Sequence, residues 1–137
     1  MDTFRPNAAD VVTSRAEPFS EIVARVERGY PFGSFLDLSE RLGVAQSLLA
    51  SVLSISSSTL QRRRGGVFDV AESGRIYQLE KLVSLAEATI GDKADARRWL
   101  TTPNPNLGDI PLELARTAPG IEAVTRYLEQ VQAGVYL

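Results

Sequence analysis

Apolar residues recur every three or four positions along most of the chain and show no sustained period-two alternation, so the pattern predicts helices throughout. From Phe19, the residues Ile22, Val23, Val26 and Tyr30 fall in phase, with Ser20 able to cap this first helix and Gly29 and Pro31 placed to stop it. Segment 33–43 predicts a second helix with Phe35, Leu38 and Leu42 on one stripe and Gly43 at its end. Segment 44–64 then reads as helix, tight turn, helix. Leu49, Val52 and Leu53 form the apolar side of the first piece, and Ala50 is small enough for another helix to cross closely. Ser54, Ile55 and Ser56 make the turn, and Ser56 or Ser57 caps the second piece by accepting an orphan amide hydrogen bond. Leu60 is the one strongly apolar residue of that piece and is its expected anchor; every other position is polar.

Two glycines open a junction in which Val67, Phe68 and Val70 are expected to pack back on the preceding helices. The longest periodic stretch follows, from Glu72 to about Ile90, with Ile76, Leu79, Leu82, Val83, Leu85 and Ala86 on its apolar face. Beyond Gly91 the pattern predicts a helix bearing Trp99 and Leu100, a Pro/Asn/Gly loop, a short helix with Leu112 and Leu114, and a last helix opened by Pro119. That helix carries Ile121, Val124, Leu128 and Val131 and is stopped by Gly134. The fold class expected is all-α, divided into a flexible arm at 1–18, a helix-turn-helix domain at 19–70 and a small helical bundle at 71–137.

With 137 residues, 44% of them hydrophobic, the chain suits one modest domain or two very small ones and is too short for a multi-domain enzyme. It has no cysteine and no histidine, which removes disulfides, thiol nucleophiles, the commonest transition-metal ligands and the commonest general base. Asp92, Asp95 and Asp109 remain as carboxylates, but the first two read as helix-start caps and nothing pairs them with a base, so neither catalysis nor a cofactor nor a metal is expected. The acidic, polar start is unlike a secretory signal, and no apolar run approaches the ~20 residues of a membrane span, so a cytoplasmic protein without a membrane partner is expected.

The net charge of −2 is unevenly placed. Residues 1–66 hold eight arginines against seven carboxylates, whereas residues 67–137 hold seven basic residues against ten acidic ones. Three of the arginines, Arg62, Arg63 and Arg64, stand together at the end of the short polar helix. A helix held by a single leucine after a tight turn and polar elsewhere meets the requirement of a recognition helix, whose outer face must contact water or DNA. Ser57, Ser58 and Thr59 are small enough to let such a helix enter a major groove about 12 Å wide. Gln61 can reach an adenine edge or a phosphate, the arginines can span nearly a turn to reach phosphate or guanine, and Gln46 is placed to hold the backbone. Gln46, Leu49, Ala50, Leu53, Ser54, Ile55 and Leu60 together fit a helix-turn-helix, with Ser54 where a glycine is usual. So small a module makes few phosphate contacts, which points to a homodimer on operator DNA.

In the second half, Tyr127, Tyr136 and Leu137 gather near the end of an acidic domain, and aromatic anchors beside Arg126 and Gln130 are typical interface material. Trp99 is expected in the core, Pro119 and Gly120 to shape a helix start and contact nothing, and Asn104 and Asn106 to stabilise their loop. The order of elements in 96–137 is distinctive: a tryptophan after an alanine-led helix, a Pro-Asn loop, Leu-Gly and then Pro, a threonine before Gly120, and a Val-Leu-Val helix ending in Gly-Val. This order resembles the toxin-binding domain of the Xre/MbcA/ParS family of type II antitoxins, and the resemblance extends upstream to cover roughly residues 20 to 137. Asp109 departs from it, since a second glycine often follows Leu-Gly, and the tail after the last helix is very short.

The resemblance implies an antitoxin whose partner is a RES-domain toxin, a small NAD-consuming enzyme. The antitoxin presses its C-terminal domain and chain end over the toxin's active-site cleft and represses its own operon through the helix-turn-helix. Val135, Tyr136 and Leu137 are then the residues that reach into the cleft. The competing expectation is a stand-alone dimeric helix-turn-helix transcription regulator whose C-terminal bundle only dimerises.

Overall fold

A computed structural model describes residues 17–134, which form eight α-helices and no strand. They are α1 (Phe19–Arg28), α2 (Phe32–Leu42), α3 (Gln46–Val52), α4 (Ser57–Arg63), α5 (Val70–Ile90), α6 (Lys93–Leu100), α7 (Pro111–Leu114) and α8 (Ala118–Gln132). The all-α reading is correct. The arm up to residue 16 and the tail residues Val135, Tyr136 and Leu137 lie outside the described residues.

The buried side chains form a single cluster organised on α5. Helices α1 and α2 pack on one part of α5 and α6 and α8 on another, so Ile76, Leu79, Leu82, Val83 and Ala86, all within 2% of complete burial, are shared by both halves of the chain. Helix α2 contributes Phe35, Leu38 and Leu42, and α8 contributes Val124 and Leu128. Each such aliphatic side chain stabilises the fold by about 1.5–3 kcal/mol relative to exposure.

Helix α1 is the exception. Of its expected stripe, Tyr30, just past the helix end, is buried and Ile22 and Val26 are half-buried, but no residue within Phe19–Arg28 is fully buried, and Val23 and Phe19 are 51% and 79% exposed. The helix lies at the edge of the bundle and is covered on one side only. Pro18, not Ser20, occupies its N-cap, which leaves Ser20 in the first turn.

The junction after α4 is an extended strap paired antiparallel with residues 30–32. The Phe68 amide donates to the Tyr30 carbonyl at 2.9 Å and the Phe32 amide to the Gly66 carbonyl at 3.1 Å. Because side chains alternate along an extended segment, Phe68 turns inward while Val67 points to solvent. Phe68 meets the rings of Phe32 and Phe35 at 5.8 and 6.0 Å. Of the three junction residues expected to pack back, only Phe68 does so; Val67 and Val70 are more than half exposed. Helix α5 starts at Val70, ahead of Glu72, because Asp69 and Glu72 form a capping box: the Glu72 amide donates to Asp69 Oδ1 and the Asp69 amide to Glu72 Oε1. One turn on, the buried Ser73 hydroxyl accepts from the Tyr30 amide at 2.8 Å and fixes the α1–α2 corner to α5.

Two backbone positions are under steric control. Ser54, in the α3–α4 turn, has φ 59°, the left-handed conformation that glycine adopts without cost. Gly120 does contact a neighbour, against expectation: it is buried in the first turn of α8, and a Cβ there would stand 1.7 Å from the Leu114 carbonyl oxygen. Gly120→Ala should therefore destabilise the chain by about 3 kcal/mol, since backbone must move to admit the methyl group. Ser54→Gly should stabilise it by roughly 0.5–1 kcal/mol, the relief of strain exceeding the loss of chain stiffness. Urea unfolding of the two variants checks both signs.

Candidate functional site

Helices α3 and α4 meet in a turn closed by the Ile55 amide, which donates to the Ala50 carbonyl at 2.8 Å. Ser56 is the cap of α4: its Oγ accepts from the Thr59 amide at 3.2 Å and lies 3.0 Å from Thr59 Oγ1. Leu60 is the only buried residue of the helix. Around it Ser57, Ser58, Gln61, Arg62 and Arg64 are exposed and Thr59 is half-buried.

The three arginines divide. Arg62 stays at the surface with Nη2 3.2 Å from Thr59 Oγ1. Arg64 donates from Nε to Gln61 Oε1 at 3.0 Å and from Nη2 to Gln46 Oε1 at 3.2 Å, while its guanidinium lies 5.0 Å from the Phe32 ring centre. Gln46, Gln61 and Arg64, expected separately as DNA contacts, are thus brought into one polar cluster at the surface. Arg63 turns inward. Its Nε and Nη2 donate to Glu72 Oε1 and Oε2 at 2.8 and 3.1 Å, and Nη2 lies 3.5 Å from Asp69 Oδ2.

Burial by itself would raise the Glu72 carboxyl, but the hydrogen bonds from Arg63 and from the Asp69 amide outweigh it and hold the group below its ordinary value. Two further arginines secure α3 from the second half of the chain. Arg75 donates to the Leu53 carbonyl at 2.6 Å, and Arg116, also paired with Glu113, donates to Ser51 Oγ at 2.8 Å. Sequence reasoning passed over Glu72, Arg75 and Arg116. The Asp69-x-x-Glu72 spacing signals a capping box, whereas the partner of Arg116 stands 65 residues away and leaves no local trace.

On the C-terminal side, the half-buried rings of Trp99 and Tyr127 stack with centroids 6.0 Å apart and planes 16° from parallel. The Tyr127 hydroxyl accepts from Asn106 Nδ2 at 3.0 Å. Asn104 Oδ1 accepts from the Asn106 and Leu107 amides, so it holds its own loop. Beside this stack Ile90, Asp95, Arg98, Trp99, Thr102 and Pro103 line an open groove of about 550 Å³. Asp95 pairs with Arg98, and Asp92 occupies the N-cap of α6 without a side-chain cap bond. Of the expected partner-binding residues, Arg126 is exposed and 3.0 Å from Glu122, Tyr127 is half-buried in the aromatic stack, and Gln130 is half-buried on the same helix.

With both sites in view, two family models match the chain. The antitoxin Xre-like helix-turn-helix domain matches residues 21–81, and the antitoxin Xre/MbcA/ParS C-terminal toxin-binding domain matches residues 85–134. The chain belongs to the Xre/MbcA/ParS antitoxin family. Two curated relatives agree. One, named antitoxin Xre, from Pseudomonas putida, is 24% identical over 115 residues, covering 83% of this chain and 72% of its own. The other, named Prs ADP-ribosylating antitoxin, from a Sphingobium species, is 26% identical over 134 residues, covering 89% and 84%. The antitoxin is accordingly a DNA-binding regulator and toxin binder, not an enzyme. The two matched regions meet inside α5. Among the described residues no helix is long and apolar enough to cross a membrane.

The Arg63–Glu72 pair sets a pH signature. A carboxyl held below its ordinary value of 4.5 adds stability that is fully present above that pH and is lost as the pH falls through the depressed folded-state value. Glu80, raised chiefly by burial, acts oppositely, losing its contribution as pH rises through its folded-state value. Glu72→Gln should therefore leave the neutral side of the stability profile with its slope unchanged and flatten the acid side below about pH 4.5. Urea midpoints measured across pH for the two chains test this, and an unchanged acid side would show that Glu72 is not held down.

Proposed function

We propose that this antitoxin neutralises a RES-domain, NAD-consuming toxin by covering its active site with α8 and the residues that follow it, and that as a homodimer it represses its own operon through α4. The observation that carries the DNA half is the make-up of α4 and its C-cap: one buried leucine, with Ser57, Ser58, Gln61 and Arg62 exposed around it and Arg64 exposed just past its end. A surface of that kind has no use against protein core and suits a major groove. Gln46, joined to the same surface through Arg64, is in place to approach a phosphate. With Arg63 engaged inside the fold, Arg62 and Arg64 are the cations that α4 offers to DNA, so one copy binds weakly at physiological salt and two copies on adjacent half-sites are required.

The toxin half is supported by the family and by the character of α8, which sets Arg126 and Gln130 beside the partly exposed Tyr127 ring, a combination common at interfaces. Val135, Tyr136 and Leu137 follow after Ala133 and Gly134 and would supply an apolar reach into a cleft. The Sphingobium relative's name carries the words ADP-ribosylating. ADP-ribosylation consumes NAD, which accords with an NAD-consuming partner here. Since DNA is one partner, the cytoplasm is the compartment in which both functions operate.

Co-expression with the product of the adjacent gene tests the proposal. The full chain should form a stable complex with that product and keep cellular NAD at its normal level, whereas a chain lacking Tyr136 and Leu137 should lose NAD protection and retain DNA binding. Arg62→Ala should do the reverse, protecting NAD fully while lowering the salt slope of DNA binding by about 1. If the full chain neither binds the neighbouring product nor protects NAD, the stand-alone regulator is the correct reading.

A further inference from the structure

We infer that Arg63 is a positioning residue for DNA recognition: through Glu72 it fixes the angle at which α4 presents its exposed side chains, and it makes no phosphate contact of its own. This rests on the DNA-binding reading above and deepens it. Helix α4 has only seven residues, two turns, and one buried side chain, Leu60. A helix fastened at a single point can roll about it, and a roll of a few tens of degrees moves a base-contacting side chain by several ångströms, since such atoms lie ~5–6 Å from the helix axis. A second attachment is needed.

Arg63 provides it at the last residue of the helix. Its planar guanidinium meets both carboxylate oxygens of Glu72 at 2.8 and 3.1 Å, a fork-on-fork geometry that fixes direction as well as distance. The anchor itself is rigid. Glu72 is the third residue of the core helix α5, its side chain is 9% exposed, and it is simultaneously committed to the capping box with Asp69. The Arg63 side chain is 24% exposed, and the contacts of Arg62 and Arg64 differ in kind: they are made at the surface to neutral oxygens, which phosphate can displace. From sequence alone the triplet looks like three equivalent cations; the fold makes the middle one a strut.

The two roles predict opposite behaviour. Binding of a labelled duplex carrying the promoter region upstream of the antitoxin's own gene is measured over a salt series for the full chain and for Arg63→Ala, Arg63→Lys, Glu72→Gln and Arg62→Ala. If Arg63 positions α4, Arg63→Ala weakens binding by about tenfold at every salt concentration with an unchanged slope, the scale expected for a charge-assisted pair. Arg63→Lys fails to rescue, because an ammonium cannot make the fork. Glu72→Gln weakens binding in the same direction although it removes a negative charge. Arg62→Ala, the internal control, lowers the slope by about 1. The inference is overturned if Arg63→Ala lowers the slope, if Arg63→Lys binds like the parent, or if Glu72→Gln binds as tightly or more tightly. Toxin binding by each variant reports that it is folded, and a variant that loses both is replaced by the Arg63→Ala/Glu72→Gln double substitution, which should be no weaker on DNA than either single change if the two act as a unit. Failure of the parent chain to bind any duplex at low salt would instead sink the DNA-binding reading, and this one with it.

Discussion

Helix α5 has to satisfy two neighbours at once. Over its 21 residues it must present apolar side chains to α1 and α2 and also to α6 and α8, so its sequence shows no single clean stripe, and its buried positions include Leu82 and Val83 side by side. This double duty explains why a chain of 137 residues can hold two binding surfaces without two separate cores, each of which would be marginal at half the length. One matched family region ends and the other begins within this helix, at residues 81 and 85, so whatever orients α5 orients both surfaces.

Polar contacts then make the arrangement specific. The Ser73 hydroxyl under the Tyr30 amide and the arginines at positions 41, 75 and 116 each join segments far apart in sequence, while the capping box at Asp69 and Glu72 and the Arg63–Glu72 pair fix the start of α5 to the end of α4. Arg41 reaches Glu87 at 2.9 Å and Arg116 reaches Ser51 at 2.8 Å, so the stapling runs in both directions between the halves. Apolar packing would tolerate small slides of one helix along another. Directional bonds to carboxylates and backbone carbonyls do not.

Much of this was legible in the sequence because helical phase and turn residues are local. The helices, the capping serine of α4, the single anchor Leu60 and the turn at Ser54 all follow from spacing within ten residues. The exposure of Val23 and Val67 was not, since a periodic apolar residue says that a face exists and says nothing of whether the bundle has a neighbour to cover it. Nor could local spacing show that Arg63 pairs with Glu72, because that partner lies nine residues away across a strap whose path depends on Phe68 entering the ring cluster of Phe32 and Phe35. Gly120 likewise looked like an ordinary helix-start glycine until α7 brought the Leu114 carbonyl against it.

If both surfaces depend on one core, neither half can melt alone. Trp99, the single tryptophan, reports the C-terminal half, and amide hydrogen exchange at Leu49 and Leu60 reports the helix-turn-helix. Urea unfolding followed by Trp99 fluorescence and by exchange at those two amides should give one coincident transition with a common midpoint. A helix-turn-helix that opens at distinctly lower urea than the Trp99 signal, or the reverse, would contradict the shared core and with it the idea that α5 sets both binding surfaces.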